Sequence, residues 1–159
     1  MVQVDVDASL PYVSGDRVQL QQVLVNLILN ACDAMATTEP ADRRLLIAGA
    51  MRDDGSCELT VADHGPGIAL EMMECIFEPF VTSKQNGVGL GLAICRKVVT
   101  QHGGRLWVES TPSGATFHLE LPSVVHLPEP VSNASRGLAT LPYTPLRRAP
   151  SDTVREQTL

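Results

Sequence analysis

The chain has 159 residues, of which 44% are hydrophobic and 4% aromatic, and its formal net charge is −6 at pH 7. This length and composition suffice for one domain with a single core. The negative charge does not favour a nucleic-acid or membrane-surface partner, and no apolar run approaches the ~18 residues of a membrane span. The N-terminal segment MVQVDVDASLPYV lacks the basic and apolar regions of a signal peptide, so we expect a cytoplasmic protein.

The four cysteines, Cys32, Cys57, Cys75 and Cys95, form no CxxC pair, and no histidine lies at metal-ligand spacing from them. We therefore expect four reduced, small core residues that have no role in a metal site or a disulfide.

The first part of the chain alternates between strand and helix patterns. VQVDVDA, at the N-terminus, alternates apolar and acidic residues, which predicts a half-buried strand. Residues 16–36 predict a long helix with Asp16 as its N-cap. LLIAGAMR and CELTVAD predict two strands of a hairpin, because the turn residues DDGS separate them.

The second part predicts a short helix over ALEMMECIF, an irregular loop over residues 79–88 and a helix over residues 90–102. Gly103 and Gly104 form a C-terminal stop for that helix. RLWVES and ATFHLELP predict a second hairpin. The sum is an α+β domain over residues 1–122: a two-layer sandwich of a mixed, mostly antiparallel sheet with three helices on one face. Residues 123–159 hold five of the eleven prolines and show no periodicity, which predicts a disordered tail.

The long helix carries a narrow polar stripe that includes Asn26, Asn30 and Asp33. A solvent-exposed face is one interpretation, but such a face more often uses Glu, Lys or Gln, because Asn and Asp are poor helix formers. The other interpretation is a site for a Mg²⁺ that keeps most of its waters and binds phosphate.

The segment VADHGPGI ends a predicted strand at Asp63 and continues through Gly65 and Gly67. These residues are typical of a plain turn. A buried Asp63 could instead accept a hydrogen bond from an adenine amino group, with the glycines leaving room for the ring. His64, inside this segment, reads as a surface residue.

Three glycines at alternate positions, Gly87, Gly89 and Gly91, lead into the helix over residues 90–102. A flexible hinge is one interpretation. The other is a phosphate site, because bare N–H groups at a helix N-terminus bind anions. The pattern is neither a P-loop nor a Rossmann turn. Ser83 and Lys84, in the preceding loop, could reach phosphate oxygens.

Together these segments resemble sensor histidine kinases. NLILNA over residues 26–31 is similar to their N box, DHGPG over 63–67 to the G1 box, FEPF over 77–80 to the F box, and GVGLGL over 87–92 to the G2 box. The resemblance covers about residues 2–122 and is strongest to the nitrogen- and oxygen-responsive subgroup. It implies the Bergerat-type ATP-binding fold that type II topoisomerases, mismatch-repair ATPases and one chaperone family share.

The resemblance implies roles for individual positions. Asn30 would ligate Mg²⁺, with Asn26 supporting the metal and the phosphates; Asp63 would bind the adenine amino group, assisted by Thr116. Strict alternation, however, puts Thr116 on the face opposite Phe117. Phe77 and Phe80 would anchor a lid over the nucleotide. Asn26, Asn30 and Lys84 are the candidate catalytic residues. The full set of candidate ATP-binding positions is Asn26, Asn30, Asp33, Asp63, Gly65, Gly67, Ile68, Phe77, Phe80, Ser83, Lys84, Gly87, Val88, Gly89, Leu90, Gly91, Leu92 and Thr116.

The resemblance also bears on the reaction. Hydrolysing relatives carry a glutamate where this chain has Asn26, and an amide cannot act as a general base near neutral pH. We therefore expect transfer of the γ-phosphate to a histidine rather than rapid hydrolysis. None of the four histidines resembles a phosphoacceptor on a long helix, so a dimerisation domain would supply it and a response regulator receiver would act downstream. The alternatives are a nucleotide-binding module without turnover and a serine kinase of the anti-sigma type. The chain would be a fragment or a stand-alone domain of a bacterial cytoplasmic system.

Overall fold

This computed structural model describes residues 1–84 and 87–124, so the predicted tail from residue 125 onward and positions 85–86 of the predicted loop lie outside the described residues. Five strands form one sheet: β1 (Val2–Val6), β2 (Leu45–Met51), β3 (Cys57–Asp63), β4 (Arg105–Thr111) and β5 (Gly114–Leu121). Their order is β1-β2-β3-β5-β4, in which β1 runs parallel to β2 and the other neighbours are antiparallel. The predicted mixed, mostly antiparallel sheet and both predicted hairpins are confirmed.

Two helices, α1 (Arg17–Ala34) and α3 (Gly91–Gln101), pack on one face of the sheet, and a 3₁₀ turn over Met35–Thr37 follows α1. α1 begins as predicted, because Asp16 Oδ1 accepts the Val18 and Gln19 N–H groups at 2.8 and 3.1 Å. The core between helices and sheet contains Val23, Leu27 and Ala31 of α1, Cys95 and Val99 of α3, and Val61, Leu106, Phe117, Leu119 and Leu121 of the sheet. This is the predicted two-layer sandwich.

The predicted helix over ALEMMECIF is mostly wrong. Only α2 (Leu70–Met73) is helical. The chain then continues through successive i→i+3 bonds, from the Cys75 N–H to the Met72 carbonyl and from the Glu78 N–H to the Cys75 carbonyl. Such tight turns replace the i→i+4 ladder when a segment has to bend rather than extend.

Burial differs from the prediction at β1 and at the cysteines. All five β1 residues are exposed, because β1 is an edge strand that pairs with β2 alone, beyond the helices. Of the cysteines, all free, only Cys95 is buried; Cys57 and Cys75 are half-buried and Cys32 is exposed on α1. The expectation of four core cysteines is therefore wrong at Cys32.

His102 joins the end of α3 to the start of α1. Its Nε2 accepts the Asp16 N–H at 2.9 Å, while its Nδ1 lies 2.8 Å from the Val98 carbonyl oxygen. This pair of contacts assigns a neutral ring with the proton on Nδ1. A Cβ at Gly15 would lie 2.6 Å from His102 Cδ2, so glycine at this position lets the two helix ends meet.

The outer face of the sheet carries an ionic and aromatic network. Glu58 accepts Arg52 Nη1 at 2.6 Å and lies 2.7 Å from His118 Nδ1, and the His118 ring stacks on Trp107 at a centroid distance of 4.8 Å. The hydrogen bond to His118 and the pairing with Arg52 hold the pKa of Glu58 below its ordinary value, against the effect of desolvation.

The lowered pKa of Glu58 predicts an acid dependence of stability. The pairing stabilises the fold above the ordinary glutamate pKa of about 4.3, and this contribution is lost as the pH falls through the lower folded value. We expect Glu58→Gln to flatten the fall in unfolding free energy below about pH 4.3, measured by urea denaturation across pH. An unchanged acid profile in this variant would contradict the assignment.

Residues 123 and 124 also contact the segment before α1: Ser123 bridges to Val13, and the Val124 N–H donates to the Tyr12 carbonyl at 2.7 Å. Among residues 1–84 and 87–124, no helix has the length and apolar character that crossing a membrane requires.

Candidate functional site

The predicted site segments meet along one side of α1. A Cβ at Gly91, the first residue of α3, would lie 3.9 Å from Asn26 Oδ1, and a Cβ at Gly65 would lie 3.2 Å from the Ala34 side chain. Lys84, from the loop before α3, contacts Asn30. The amide stripe of α1, the turn after β3 and the start of α3 therefore surround one region.

Asp63 is the one buried charged side chain in the described part of the chain, with 4% exposure. Burial raises the pKa of Asp63, and backbone hydrogen bonds from Gly65 and Ala115 act in the opposite direction. The Gly65 N–H donates to Oδ1 at 2.8 Å. A desolvated carboxylate without a cationic partner in contact is costly for folding, and such groups are typical of functional sites.

The turn after Asp63 needs glycine at positions 65 and 67, because other parts of the chain approach these positions too closely for a side chain. A Cβ at Gly65 would lie 2.8 Å from Asp63 Oδ1. Gly67 has a φ of +74°, and its Cβ would lie 2.0 Å from the Thr111 carbonyl oxygen. Next to it, the Ile68 N–H donates to Ser110 Oγ at 2.8 Å, and the Ile68 side chain packs against the core. The turn is thereby fixed against the hairpin of β4 and β5. His64 is exposed, as expected.

The structure does not place Thr116 beside Asp63. β5 alternates regularly, with Ala115 and Phe117 buried and Thr116 half-buried on the opposite face, where it pairs with Ala62. The glycine at the start of β5 does not reverse this alternation, so the predicted assistance from the Thr116 hydroxyl is wrong. The backbone N–H of Ala115 takes the position beside the carboxylate. The sequence signal for this contact is the alternation of β5: followed back from Phe117, it places Ala115 rather than Thr116 on the Asp63 side.

The two phenylalanines predicted to anchor the lid behave differently. Phe77 packs against the core, with its ring edge-on to Phe117 at a centroid distance of 6.4 Å. The ring of Phe80 is 74% exposed, and its φ of +67° is strained for a residue with a side chain. The Phe80 N–H donates to the Gly89 carbonyl at 2.8 Å. Anchoring by the Phe80 side chain is therefore not observed; its backbone makes the contact instead.

The three glycines before and at the start of α3 have different surroundings. Gly89 has a φ of +70°, and a Cβ there would lie 2.6 Å from the Phe80 carbonyl carbon. A Cβ at Gly87 would lie 2.7 Å from Thr82 Oγ1. Among the described residues, a Cβ at Gly91 would meet only Asn26, at 3.9 Å. Contacts among the described residues thus explain why positions 87 and 89 need glycine, whereas those residues leave the Cβ position of Gly91 open.

The neighbouring predicted positions complete this side of the site. Leu90 is the N-cap of α3 and makes no side-chain cap hydrogen bond, so the first N–H groups of the helix are left uncapped by it. Val88 is exposed and Leu92 packs against the core. Such a helix start suits an anion, while Leu92 fixes the helix to the domain.

Lys84 lies over the amide stripe of α1. Its Nζ is 2.8 Å from Asn30 Oδ1 and 2.6 Å from Asp33 Oδ2. Ser83 is exposed on the same loop. Two oxygens therefore converge on one cation, and amide and carboxylate oxygens are the donors that Mg²⁺ takes. Over the described ranges, histidine, cysteine and carboxylate side chains form no group of three that could hold a metal. The oxygens of Asn30 and Asp33 thus fit a metal ion that takes its remaining ligands from water or phosphate.

Comparison with known proteins agrees with this geometry. Residues 15–125 match the family described as histidine kinase-, DNA gyrase B- and HSP90-like ATPase. The C4-dicarboxylate transport sensor protein DctB of Rhizobium meliloti is 47% identical over 67% of this chain and 17% of its own length. Sensor protein FixL of Bradyrhizobium diazoefficiens is 42% identical over 74% of this chain and 23% of its own length. The chain thus spans about a fifth of these relatives.

Solved structures give the same family. The catalytic domain of histidine kinase ThkA matches with a TM-score of 0.66 and 35% identity, over 77% of this chain and 78% of that domain. ThkA in complex with the response regulator protein TrrA matches with a TM-score of 0.62 and 33% identity, over 77% of this chain and 34% of that one. The chain therefore belongs to the histidine kinase-, DNA gyrase B- and HSP90-like ATPases, and within them it is a histidine kinase catalytic domain.

Proposed function

We propose that this domain binds ATP with Mg²⁺ and transfers the γ-phosphate to a histidine of a separate dimerisation domain. The observation that carries the proposal is Asp63, whose buried carboxylate lies in the same region as the amides of α1 and the start of α3. We place the activity in the predicted catalytic domain, residues 1–122, and the reaction in the bacterial cytoplasm, with a response regulator receiver accepting the phosphate next.

In this proposal the adenine amino group donates to Asp63, and the triphosphate lies against the N–H groups at the start of α3. Asn30 would hold Mg²⁺, with Asn26 and Asp33 as its neighbours on α1, and the metal would offset the charge of the phosphates. Lys84 donates to phosphate oxygens. Because Asn26 is an amide, no side chain at that position can deprotonate water, which favours transfer to an external nucleophile over hydrolysis. Catalysis is then positioning and charge stabilisation.

The transfer test fuses a dimerisation domain that carries a phosphoacceptor histidine to the N-terminus of this chain and supplies Mg-ATP labelled in the γ-phosphate. We expect acid-labile phosphate on the fusion partner. Binding without transfer would instead indicate a nucleotide-binding module, and acid-stable phosphoserine on a partner would indicate a kinase of the anti-sigma type. Either result would contradict the proposal.

Replacing Asn30 with alanine tests the metal assignment. We expect Asn30→Ala to lose transfer in the fusion and to lose the Mg²⁺-dependent part of ATP affinity, about tenfold, because one ligand oxygen is removed. Calorimetry with and without Mg²⁺ measures that part. Gln22→Ala, on the exposed side of the same helix, is the matched control. Normal transfer by Asn30→Ala would move the metal site elsewhere.

Gly91 tests the phosphate position, because Asn26 is the one described residue within 4 Å of its Cβ position. We expect Gly91→Ala to keep or slightly raise thermal stability, since alanine is the better helix former. Its added methyl group would enter the ligand space and weaken ATP binding about tenfold.

Gly89→Ala is the contrasting variant, because the added Cβ would meet the Phe80 and Val81 backbone. We expect it to lower the melting temperature. Fluorescence competition against a labelled ATP analogue, with melting curves for both variants, makes the comparison. Wild-type affinity in Gly91→Ala would place the phosphates away from the start of α3.

A further inference from the structure

The contact of Lys84 with α1 shows where a cation of the chain itself lies against the amide stripe. Its ammonium nitrogen is within 2.8 Å of oxygens from Asn30 and Asp33, which are three residues apart and share one face of the helix. Asn30 is also the residue to which the proposed function assigns Mg²⁺. Asn30 Oδ1 therefore has two candidate cationic partners, the Lys84 ammonium and Mg²⁺.

We propose that Lys84 is an internal competitor of Mg²⁺: it binds Asn30 and Asp33 and is released when Mg²⁺ takes these oxygens. The inference rests on the proposed function, because it describes regulation of the same site. An ammonium and a divalent cation repel strongly at the separation that shared ligands impose. Occupation by one thus excludes the other, and metal entry and lysine release are a single exchange.

Exchange requires a contact that is weak enough to break. The side chains of Lys84 and Asp33 are 44% and 58% exposed, so water screens the pair and it contributes little to stability. In the proposed function Lys84 also donates to phosphate oxygens, so the same side chain would bind the Asn30 and Asp33 oxygens at one time and phosphate at another.

The composition of the chain makes this exchange measurable. Lys84 and Lys97 are its two lysines, and Lys97 is exposed on α3, away from the amide stripe. After reductive methylation with ¹³C-formaldehyde, each lysine gives its own NMR signal. In the nucleotide-free domain we expect the Lys84 signal to be displaced from that of Lys97.

Adding Mg²⁺ alone should move the Lys84 signal toward the free-lysine position and leave Lys97 in place. Asp33→Asn should produce the released position before any metal is added. The proposal is overturned if Lys84 gives a free-lysine signal in the wild type, or if saturating Mg²⁺ leaves a displaced signal unchanged.

A second measurement uses Mn²⁺ as the probe and electron paramagnetic resonance as the readout. We expect Lys84→Gln to bind Mn²⁺ about two- to fivefold more tightly than the wild type without nucleotide, because a competitor of surface-pair strength is removed. Lys97→Gln, the matched control, should change nothing. The same Lys84→Gln should bind Mg-ATP more weakly, since a phosphate contact is lost.

The change in Mn²⁺ affinity tests the competition between Lys84 and the metal, whereas ATP binding by the wild type tests the proposed function. Weaker Mn²⁺ binding by Lys84→Gln, or equal binding, refutes competition even if ATP binds normally. Absence of ATP binding by the wild type in calorimetry refutes the proposed function, while the lysine signals still report whether Lys84 and Mg²⁺ exclude each other.

Discussion

We expect Asp63→Asn to weaken ATP binding by about 100-fold or more while the domain stays folded. Asp63 Oδ1 accepts the Gly65 N–H at 2.8 Å, and in the proposed complex the carboxylate also accepts the adenine amino group. In Asp63→Asn one of these positions becomes an NH₂ donor facing another donor. Losing a hydrogen bond to a charged group and leaving a buried donor unpaired together cost about 3 kcal/mol or more, which gives the expected factor.

The thermal stability of Asp63→Asn should not fall with its ATP affinity. Because burial raises the pKa of Asp63, the carboxylate destabilises the folded state above its unfolded pKa, and this cost disappears as the pH falls through the folded value. We therefore expect Asp63→Asn to unfold at the same or a higher temperature than the wild type at pH 7. Calorimetric titration with ATP, next to thermal melts, measures both effects.

Asp53→Asn is the matched control, because Asp53 is an exposed carboxylate in the β2–β3 turn. It should bind ATP as the wild type does. Wild-type affinity in Asp63→Asn would refute the adenine assignment, and a strong loss in both variants would point to net charge rather than to this side chain.

Gly114→Ala should destabilise the domain and remove ATP binding together. Gly114 has a φ of +148°, and a Cβ there would lie 2.0 Å from the Asp63 carbonyl oxygen. Backbone has to move to remove this overlap, and the strand end that carries Asp63 moves with it. We expect a loss of about 3 kcal/mol or more in the unfolding free energy, measured by urea denaturation.

Gly55→Ala separates the clash from the cost of backbone conformation. Gly55 has a φ of +83°, but nothing lies within 4 Å of the Cβ position. We expect a loss of about 1–2 kcal/mol and normal ATP affinity. Equal destabilisation by the two substitutions would mean that the close approach between β5 and Asp63 is not what requires glycine at position 114.

Local signals in the sequence predict most of the fold. The turn residues between β2 and β3 and between β4 and β5 define both hairpins, and Asp16 defines the start of α1, because these signals act within a few residues. The exposure of β1 depends on how far the helices extend over the sheet, which no local pattern contains. The end of α2 at Met73 depends on the turns that bury Ile76.

The site was predictable as a set of segments but not in its contacts. A Cβ at Gly91 would lie close to Asn26, and Lys84 contacts Asn30, whereas Thr116 does not lie beside Asp63, because the regular alternation of β5 places it on the opposite face. Position 89 needs glycine because the Phe80 backbone is close, and position 67 needs it because the Thr111 carbonyl is close. Both contacts are made by the tertiary fold, so the local sequence does not reveal them. The contact of Lys84 with Asp33 spans 51 residues, and sequence spacing gives no indication of it.

The proposed binding of adenine nucleotides between Asp63, α1 and the start of α3 can be followed in amide NMR spectra of the ¹⁵N-labelled chain during titration with ATP and Mg²⁺. We expect saturable shifts centred on the amides of Gly65, Ala115 and Gly91, with Trp107 and His118 on the outer face unchanged. A folded chain whose spectrum ignores ATP, or shifts confined to the outer face, would contradict it.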